Sequence, residues 1–146
     1  MRALIQRVLW AKVEVQGHMV GEIGSGLVTF LGLENDDTRE DVEKMMQKIV
    51  HFRVFAHPVT NKLEYSLKET DRHHLVISQF SLVADTNAGR RPSFKNAMEP
   101  LRAKEYYEHA IATSQELGVI TQSGMFGADM QIAMTQDGPL SFHLVL

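Results

Sequence analysis

The sequence contains no cysteine among its 146 residues. A disulfide framework, a thiol nucleophile and a thiolate metal site are therefore excluded. It also lacks any run of about 20 apolar residues, which a transmembrane helix would require. Gln6 and Arg7 interrupt the first apolar stretch, so the start of the chain lacks the apolar centre of a signal peptide. We expect a cytoplasmic protein.

Positive charge is not in excess either. The chain has 15 Lys and Arg against 18 Asp and Glu, which gives a net charge of −3. This balance argues against a protein that coats nucleic acid with a broad basic face, but it does not exclude one that binds only the end of an RNA. The remaining composition, 44% hydrophobic and 23% charged, is typical of a soluble globular protein. The length fits one domain over residues 1–146.

The hydrophobic pattern predicts a sheet with two helices set far apart. The first helix should follow Thr38, which with Asp41 resembles a capping box, and should bury one face. That face is Val42, Met45, Met46, Ile49 and Val50. The second helix should begin at Pro100 and end before Gly118, a favoured C-terminal residue. Its apolar residues are Leu101, Tyr106, Ala110, Ile111 and Leu117.

Strands account for most of the rest of the chain. Alternating or continuous apolar segments predict strands, and Gly, Pro and polar clusters predict turns. The predicted strands are 13–15, 19–23, 27–33, 52–55, 75–82, 130–134 and 140–146, with loops over 57–72 and 85–100 and a turn over 136–139. We therefore predict an α+β fold with a largely antiparallel, curved or barrel-like sheet and two main helices packed outside it.

Two familiar kinds of catalytic site are poorly supported. The seven histidines form no HExxH pair or other compact ligand spacing, so we predict no metal site. Ser78, Ser81 and Ser123 are present, but none lies in a G-x-S-x-G elbow. A Ser/His/Asp triad assembled in space stays open, because triads are defined by geometry.

The segment Arg90-Arg91-Pro92-Ser93-Phe94-Lys95 is basic and contains one aromatic residue. This composition is typical of a solvated loop. It would also suit contact with the phosphates of a nucleic acid or nucleotide, and the segment alone favours the solvated loop.

Asp137-Gly138-Pro139 is the most unusual local feature. Asp-Gly favours a two-residue hairpin turn. A proline directly after it cannot donate a hydrogen bond to the following strand. Because only about 5–6% of X–Pro bonds are cis, these residues alone favour a trans bond at a strand edge.

Two motifs together carry a family resemblance. Ser78-Gln79-Phe80-Ser81-Leu82 ends an apolar strand, and Gln136-Asp137-Gly138-Pro139-Leu140-Ser141 lies near the end of the chain. The pair closely resembles the D-aminoacyl-tRNA deacylases, whose signatures read S-Q-F-T-L and N-x-G-P-V-T. Segments 3–8, 21–27, 91–94, 121–124 and 129–130 match in order, so the resemblance covers essentially the whole chain. Ser81 keeps the hydroxyl of the family's usual threonine, whereas Gln136, Leu140 and Ser141 replace asparagine, valine and threonine.

The resemblance implies a homodimer that hydrolyses the ester between a D-amino acid and the 3′ end of tRNA, without metal or cofactor. It implies a catalytic wall made by Ser78, Gln79, Phe80 and Ser81. It also implies a cis Gly138–Pro139 bond that enters the partner subunit's site as a chiral gate, with Arg7 fixing its orientation.

In that family the 2′-hydroxyl of the terminal adenosine takes part in catalysis. Backbone N–H groups around Phe80 and Ser81 would bind the developing oxyanion. The Gly138 and Pro139 carbonyls would accept bonds from the substrate's α-amino group, so that an L side chain meets the backbone. Many D-amino acids and mischarged glycine would then be accepted.

Two other classes of function remain open at this point. One is a non-catalytic module that binds the end of a tRNA or a nucleotide, with Arg90, Arg91 and Lys95 on phosphates. The other is a metal- or triad-dependent esterase acting on small substrates.

Overall fold

The computed structural model describes residues 1–87 and 89–146. Ala88, within the segment predicted to be irregular, lies outside the described residues. In chain order the elements are β1 (Arg2–Val15), β2 (His18–Ile23), β3 (Gly26–Gly32), α1 (Arg39–Val50), β4 (Phe55–Ala56), β5 (Leu63–Tyr65), β6 (His73–Ser78), the 3₁₀ turn (Phe80–Val83), α2 (Pro100–Glu116), β7 (Thr121–Ser123) and β8 (Gln131–Val145). Among the described residues, no helix is long and apolar enough to cross a membrane.

The long strand β1 organises the main sheet. It pairs antiparallel with β3 through its first half and with β2 through its second half. Strand β8 pairs antiparallel with both halves, so it runs along the opposite edge of β1. Strands β6 and β7 extend the sheet beyond β3 in parallel register. The predicted α+β class, with a barrel-like and largely antiparallel sheet, is confirmed.

Apolar residues are buried on both faces of this sheet. On β3, Leu27 and Leu31 face the helices, whereas Val28 and Phe30 face the other way. We call the first layer the helix-side core; its largest members include Ile5, Leu27, Met45, Ile49, Phe55 and Leu67. The far-side core consists of Val8, Ala11, Val13, Ile23, Val28, Leu75 and Ile77. Burial on both faces explains why β3 reads as a continuous apolar run.

The first helix forms as predicted. The Thr38 hydroxyl accepts from the Asp41 backbone N–H, and the Asp41 carboxylate accepts from the Thr38 N–H at 2.9 Å. This capping box satisfies N–H groups that the helix itself leaves unpaired. All five residues of the predicted apolar face are buried.

The second helix begins at Pro100, and Gly118 follows it with a φ of +83°, as its residues predicted. The apolar residues named for this helix are not all buried. Leu101 is 79% exposed, whereas Tyr107 is 2% exposed and belongs to the helix-side core. Small residues such as Ala103 and Ala110, on the same face as Tyr107, let the helix lie close to the sheet. A large aliphatic side chain such as Leu101 therefore does not indicate which face of the helix is buried.

Two predicted strands are shorter than their apolar runs. The run 75–82 stops pairing at Ser78 and turns into the 3₁₀ turn. The run 52–55 contributes only Phe55 to β4, whose partner β5 lies inside the segment predicted as a loop. A strand ends where its backbone stops pairing with a neighbouring strand, whereas an apolar pattern can continue past that point.

The turn predicted over 136–139 was wrong. The chain does not reverse, because both halves of β8 pair with β1: Gln136 lies opposite Val8, and Ser141 lies opposite Gln6. Residues 137–140 therefore form a four-residue bulge, opposite Arg7 alone, that bows out of a continuing strand. The bulge also exchanges the faces of β8. Ile132 and Met134 pack on the far-side core before it, whereas Phe142 and Leu144 join the helix-side core after it.

Candidate functional site

A pocket of about 590 Å³ opens where β6 ends beside the start of α2. Its floor is apolar and comes from strands and loops that are distant in sequence. The lining includes Leu31, Leu33, Met98, Phe126, Met130 and Ile132, and its rim includes Ser78, Gln79, Phe80 and Phe94. Mostly apolar walls with a few polar groups at one side are typical of small-ligand sites.

The polar side of the pocket is a backbone turn. The Gln79 N–H donates to the Leu31 carbonyl at 2.8 Å, and the Gln79 carbonyl accepts from the Leu82 N–H at 3.2 Å. For the Phe80 and Ser81 N–H groups no acceptor is found among the described residues. The first N–H groups of a helical turn have no partner within the turn, so these two donors are free for a ligand.

Gly32 allows this turn to pack closely on the end of β3. A Cβ on Gly32 would lie 3.1 Å from the Gln79 carbonyl oxygen and 3.0 Å from the Leu82 Cβ. Any larger residue would push the turn outward. The placement of the two free N–H donors thus depends on a glycine in the neighbouring strand.

The Ser81 hydroxyl accepts a hydrogen bond from the Gln79 side-chain amide. No histidine or carboxylate hydrogen-bonds to Ser81 among the residues that the structure describes. A serine nucleophile needs an adjacent base, and an amide donor cannot act as one. The geometry therefore gives no support to a triad at Ser81.

A Ser–His pair does exist, but in the core. His74 is fully buried; its Nδ1 lies 2.9 Å from the Ser114 hydroxyl, and its Nε2 lies 2.7 Å from the Thr29 hydroxyl. Ser114 in turn lies 2.8 Å from the Thr121 hydroxyl, which donates to the Val119 carbonyl at 3.0 Å.

The bond from the Thr121 hydroxyl to the Val119 carbonyl determines which group donates and which accepts in the whole network. Thr121 must accept from Ser114, Ser114 must accept from the Nδ1–H of His74, and the Nε2 of His74 must accept from Thr29. Burial lowers the pKa of His74 to about 3, so the ring is neutral. No pattern in the sequence indicated this network, which ties β3, β6, β7 and α2 together.

Tyr107 supports the far wall of the pocket. Its hydroxyl donates to the Val76 carbonyl at 2.8 Å, and its ring centroid lies 5.8 Å from that of Phe126. Burial raises the pKa of Tyr107 to about 12, so the hydroxyl keeps its proton at neutral pH. Tyr107 was not among the residues predicted to matter, although its spacing from Ala103 and Ala110 fits one helix face.

The bulge of β8, at residues 137–140, lies outside the lining of this pocket. Gly138 and Pro139 are exposed, their peptide bond is cis, and Gly138 has a φ of +129°. The residues alone favoured a trans bond, whereas the family resemblance implied the cis form that the structure has. Gly138 adopts a backbone conformation that other residues rarely adopt.

Arg7 holds the base of this bulge. Its Nε lies 2.9 Å from the Asp137 carboxylate and donates to the Asp137 carbonyl at 3.2 Å. Its Nη1 donates to the Val54 carbonyl at 2.7 Å. The guanidinium thereby ties β1, the bulge and the segment before β4 into one unit, a task that suits its planar fork of donors.

The structure does not bring all predicted site residues together in one chain. Ser78, Gln79 and Phe80 line the pocket, and Ser81 follows them on the turn. Gly138, Pro139 and Arg7 cluster at the bulge and are absent from the described lining of the pocket. No group of three or more His, Asp or Glu side chains that could hold a metal is found within residues 1–87 and 89–146.

Comparison with known proteins adds independent information. The family model described as D-Tyr-tRNA(Tyr) deacylase matches residues 4–145. A D-aminoacyl-tRNA deacylase of Pseudoalteromonas translucida (strain TAC 125) is 42% identical over 146 residues, covering 100% of both chains. One of Myxococcus xanthus (strain DK1622) is 44% identical over 144 residues, covering 99% of this chain and 94% of its own.

Two solved structures share the fold. One is titled c-Myc DNA Unwinding Element Binding Protein; it has a TM-score of 0.94 and 30% identity and covers 100% of this chain and 99% of its own. The other is titled as a probable eukaryotic D-amino acid tRNA deacylase, with a TM-score of 0.86 and 18% identity, over 98% of this chain and 97% of its own. At that identity the second likeness bears on the fold alone.

Proposed function

The chain belongs to the D-Tyr-tRNA(Tyr) deacylase family, and we propose that its pocket hydrolyses the ester between a D-amino acid and the 3′ end of tRNA. The enzyme is a hydrolase that acts on D-aminoacyl-tRNA, as are its full-length relatives by name. The observation that carries the assignment to this pocket is a pair of free N–H donors, one at Phe80, which lines the apolar cavity, and one at Ser81, the next residue on the turn.

Those donors suit an oxyanion. When water attacks the ester carbonyl, the carbonyl oxygen gains negative charge, and preorganised N–H groups stabilise it without having to reorganise. The turn is fixed by the Gln79–Leu31 bond and by its packing on Gly32, so its donors are already in place. One such donor is worth about 10²–10³ in kcat.

No side-chain nucleophile is required by this scheme. An aminoacyl ester is already activated, so positioning the carbonyl and a water molecule can supply much of the rate. The absence of a base at Ser81, within the described residues, supports a mechanism in which the terminal 2′-hydroxyl of the RNA assists instead. Ser78, Gln79, Phe80 and Ser81 then act mainly through their backbone.

Gly138 and Pro139 are proposed as the chiral gate. Exposed carbonyls on a rigidly anchored bulge can accept hydrogen bonds from the substrate's α-amino group. With that group fixed, a D side chain would point outward, an L side chain would collide with the backbone, and glycine would be accepted. Arg7 would act as a positioning residue by holding Asp137.

The separation of bulge and pocket within one chain supports a homodimer. The gate of one subunit would complete the pocket of the other in an isologous pair, the commonest oligomeric symmetry. Sedimentation velocity at assay concentration should give a dimer. A fully active monomer would contradict the cross-subunit arrangement.

The direct test of function is deacylation of matched D- and L-tyrosyl-tRNA by the purified protein. We expect the D form to be hydrolysed and the L form to be spared. Release of neither amino acid would contradict the hydrolase assignment. Equal release of both would retain the hydrolase but contradict the gate.

A further inference from the structure

The described loops place a concentrated positive charge beside the pocket of a chain whose net charge is −3. Residues 86–98 contain three cationic side chains, Arg90, Arg91 and Lys95, and no acidic one. All three are exposed, and none forms an ion pair with a carboxylate of the described residues. Cations elsewhere are often neutralised, as Arg39 is by Glu105 at 2.8 Å.

This cationic loop, which we define as Arg90–Lys95, rests on a fixed base. Ser93 exchanges two backbone hydrogen bonds with Asp85, at 2.8 and 2.9 Å. At its end, the Lys95 carbonyl accepts from the Asn35 side chain at 2.9 Å, and the Asn96 carbonyl accepts from the Asn35 N–H at 2.9 Å. The three charges therefore extend from an anchored segment.

The loop is continuous with the pocket wall. Phe94 lines the pocket and packs on Phe80, with their ring centroids 4.9 Å apart. Lys95 is the next residue, about 3.8 Å away along the backbone, and Arg91 is at most roughly 11 Å away. Charges this close to the pocket are within reach of the phosphates of an RNA whose 3′ nucleoside is bound inside.

We propose that Arg90, Arg91 and Lys95 bind the phosphates of the last nucleotides before the 3′ end of the tRNA. This inference rests on the proposed function, because it takes the pocket as the place of the terminal nucleoside. The aminoacyl ester is then recognised by the pocket, and the RNA chain by the cationic loop. An acidic protein can thus hold tRNA through one local cluster, because only its end is gripped.

The test compares two substrates that share the ester and the terminal nucleoside, of which only one carries the rest of the RNA chain with its phosphates. One is D-tyrosyl-tRNA and the other is 3′-O-(D-tyrosyl)adenosine, which has the same ester and nucleoside but no phosphate. The test variant is Arg90→Gln/Arg91→Gln/Lys95→Gln. The control variant, Lys44→Gln/Lys48→Gln/Lys62→Gln, removes the same charge from exposed sites away from the pocket.

Three phosphate contacts on a single strand change the slope of log Kd against log salt by about 2, because each contributes roughly 0.7. At 0.1 M salt this corresponds to about 100-fold weaker tRNA binding. We expect the test variant to lose about that factor in the ratio of kcat/KM for the tRNA to kcat/KM for the adenosine ester. Its salt slope for binding uncharged tRNA should fall by about 2.

The control variant should keep most of that ratio and most of the salt slope. The proposal is overturned if the test variant keeps the wild-type ratio and slope, or if it loses both substrates equally. It is also overturned if the control variant loses as much as the test variant. Failure of the wild type to hydrolyse either substrate would instead contradict the proposed function, which keeps the two failures distinct.

Discussion

Replacing Arg7 with alanine should disable the gate without unfolding the protein. Arg7 makes one bond to the Val54 carbonyl at 2.7 Å and a forked contact to Asp137. A hydrogen bond to a charged group contributes about 1.5–3 kcal/mol. The Asp137 side chain is 42% exposed, so its ion pair with Arg7 adds less than about 1 kcal/mol. The free energy of unfolding should therefore fall by about 3 kcal/mol, which urea unfolding would measure.

The effect on activity should be larger than this loss of stability suggests. Without the guanidinium, nothing described ties the bulge to Val54, and the Gly138 and Pro139 carbonyls would lose their fixed position. A misplacement of about 1 Å can cost about 10² in rate. We expect kcat/KM for D-tyrosyl-tRNA to fall about 100-fold in folded Arg7→Ala, and the D-over-L ratio to fall with it.

Matched variants separate positioning from simple destabilisation. Asp137→Asn removes the charge but keeps the carbonyl that Arg7 contacts, so its loss should stay below about tenfold. Arg39→Ala removes an exposed ion pair far from the bulge and should change neither quantity. A folded Arg7→Ala protein with the wild-type rate and D-over-L ratio would refute the reasoning.

Three further predictions concern single residues. Gly138→Ala should lose at least tenfold in kcat/KM, because a Cβ there would lie 2.9 Å from the Leu140 nitrogen at a φ of +129°; Gly24→Ala, with nothing within 4 Å, is the control, and equal activities would contradict this. Ser81→Ala should stay within about tenfold of wild type in single-turnover assays; a loss of about 10⁴, the size expected for deleting a covalent nucleophile, would contradict the RNA-assisted mechanism. Burial lowers the pKa of His74 to about 3 in the folded protein, whereas the imidazole of the unfolded chain has its ordinary pKa of 6.5. Between these values only the unfolded chain binds a proton at His74, so a falling pH favours unfolding. Wild type should therefore lose about 2 kcal/mol of stability between pH 7 and pH 5 that His74→Gln does not lose, and identical pH profiles in urea unfolding would contradict this.

The sequence predicted those elements whose cause is local. The capping box at Thr38 and the apolar face of α1 need only residues three or four apart, and both were confirmed. Pro100 and Gly118 mark the ends of α2 for equally local reasons. The family resemblance predicted a catalytic role for Ser78, Gln79 and Phe80, and these residues line the pocket; the role itself stays a prediction.

What the sequence could not predict depends on distant partners. Asp137-Gly138 by itself favours a hairpin. The chain instead continues as one strand, because β8 pairs with β1 on both sides of this segment and Arg7 binds Asp137. The apolar run 75–82 by itself predicts one strand. The strand ends early because Gln79 donates a hydrogen bond to the Leu31 carbonyl and the chain then enters a turn. The hydrogen-bond chain through His74 joins four elements, and no spacing within one element reveals it.

The bulge in β8 also restricts how its length can change during evolution. Because side chains alternate along a strand, a change of one residue within 137–140 that shifted the pairing of residues 141–145 with β1 by one would turn each of these side chains over. Phe142 and Leu144 would leave the helix-side core, and polar neighbours such as Ser141 and His143 would enter it. A change in length there keeps the fold only if the unpaired bulge absorbs it and residues 141–145 keep their partners on β1.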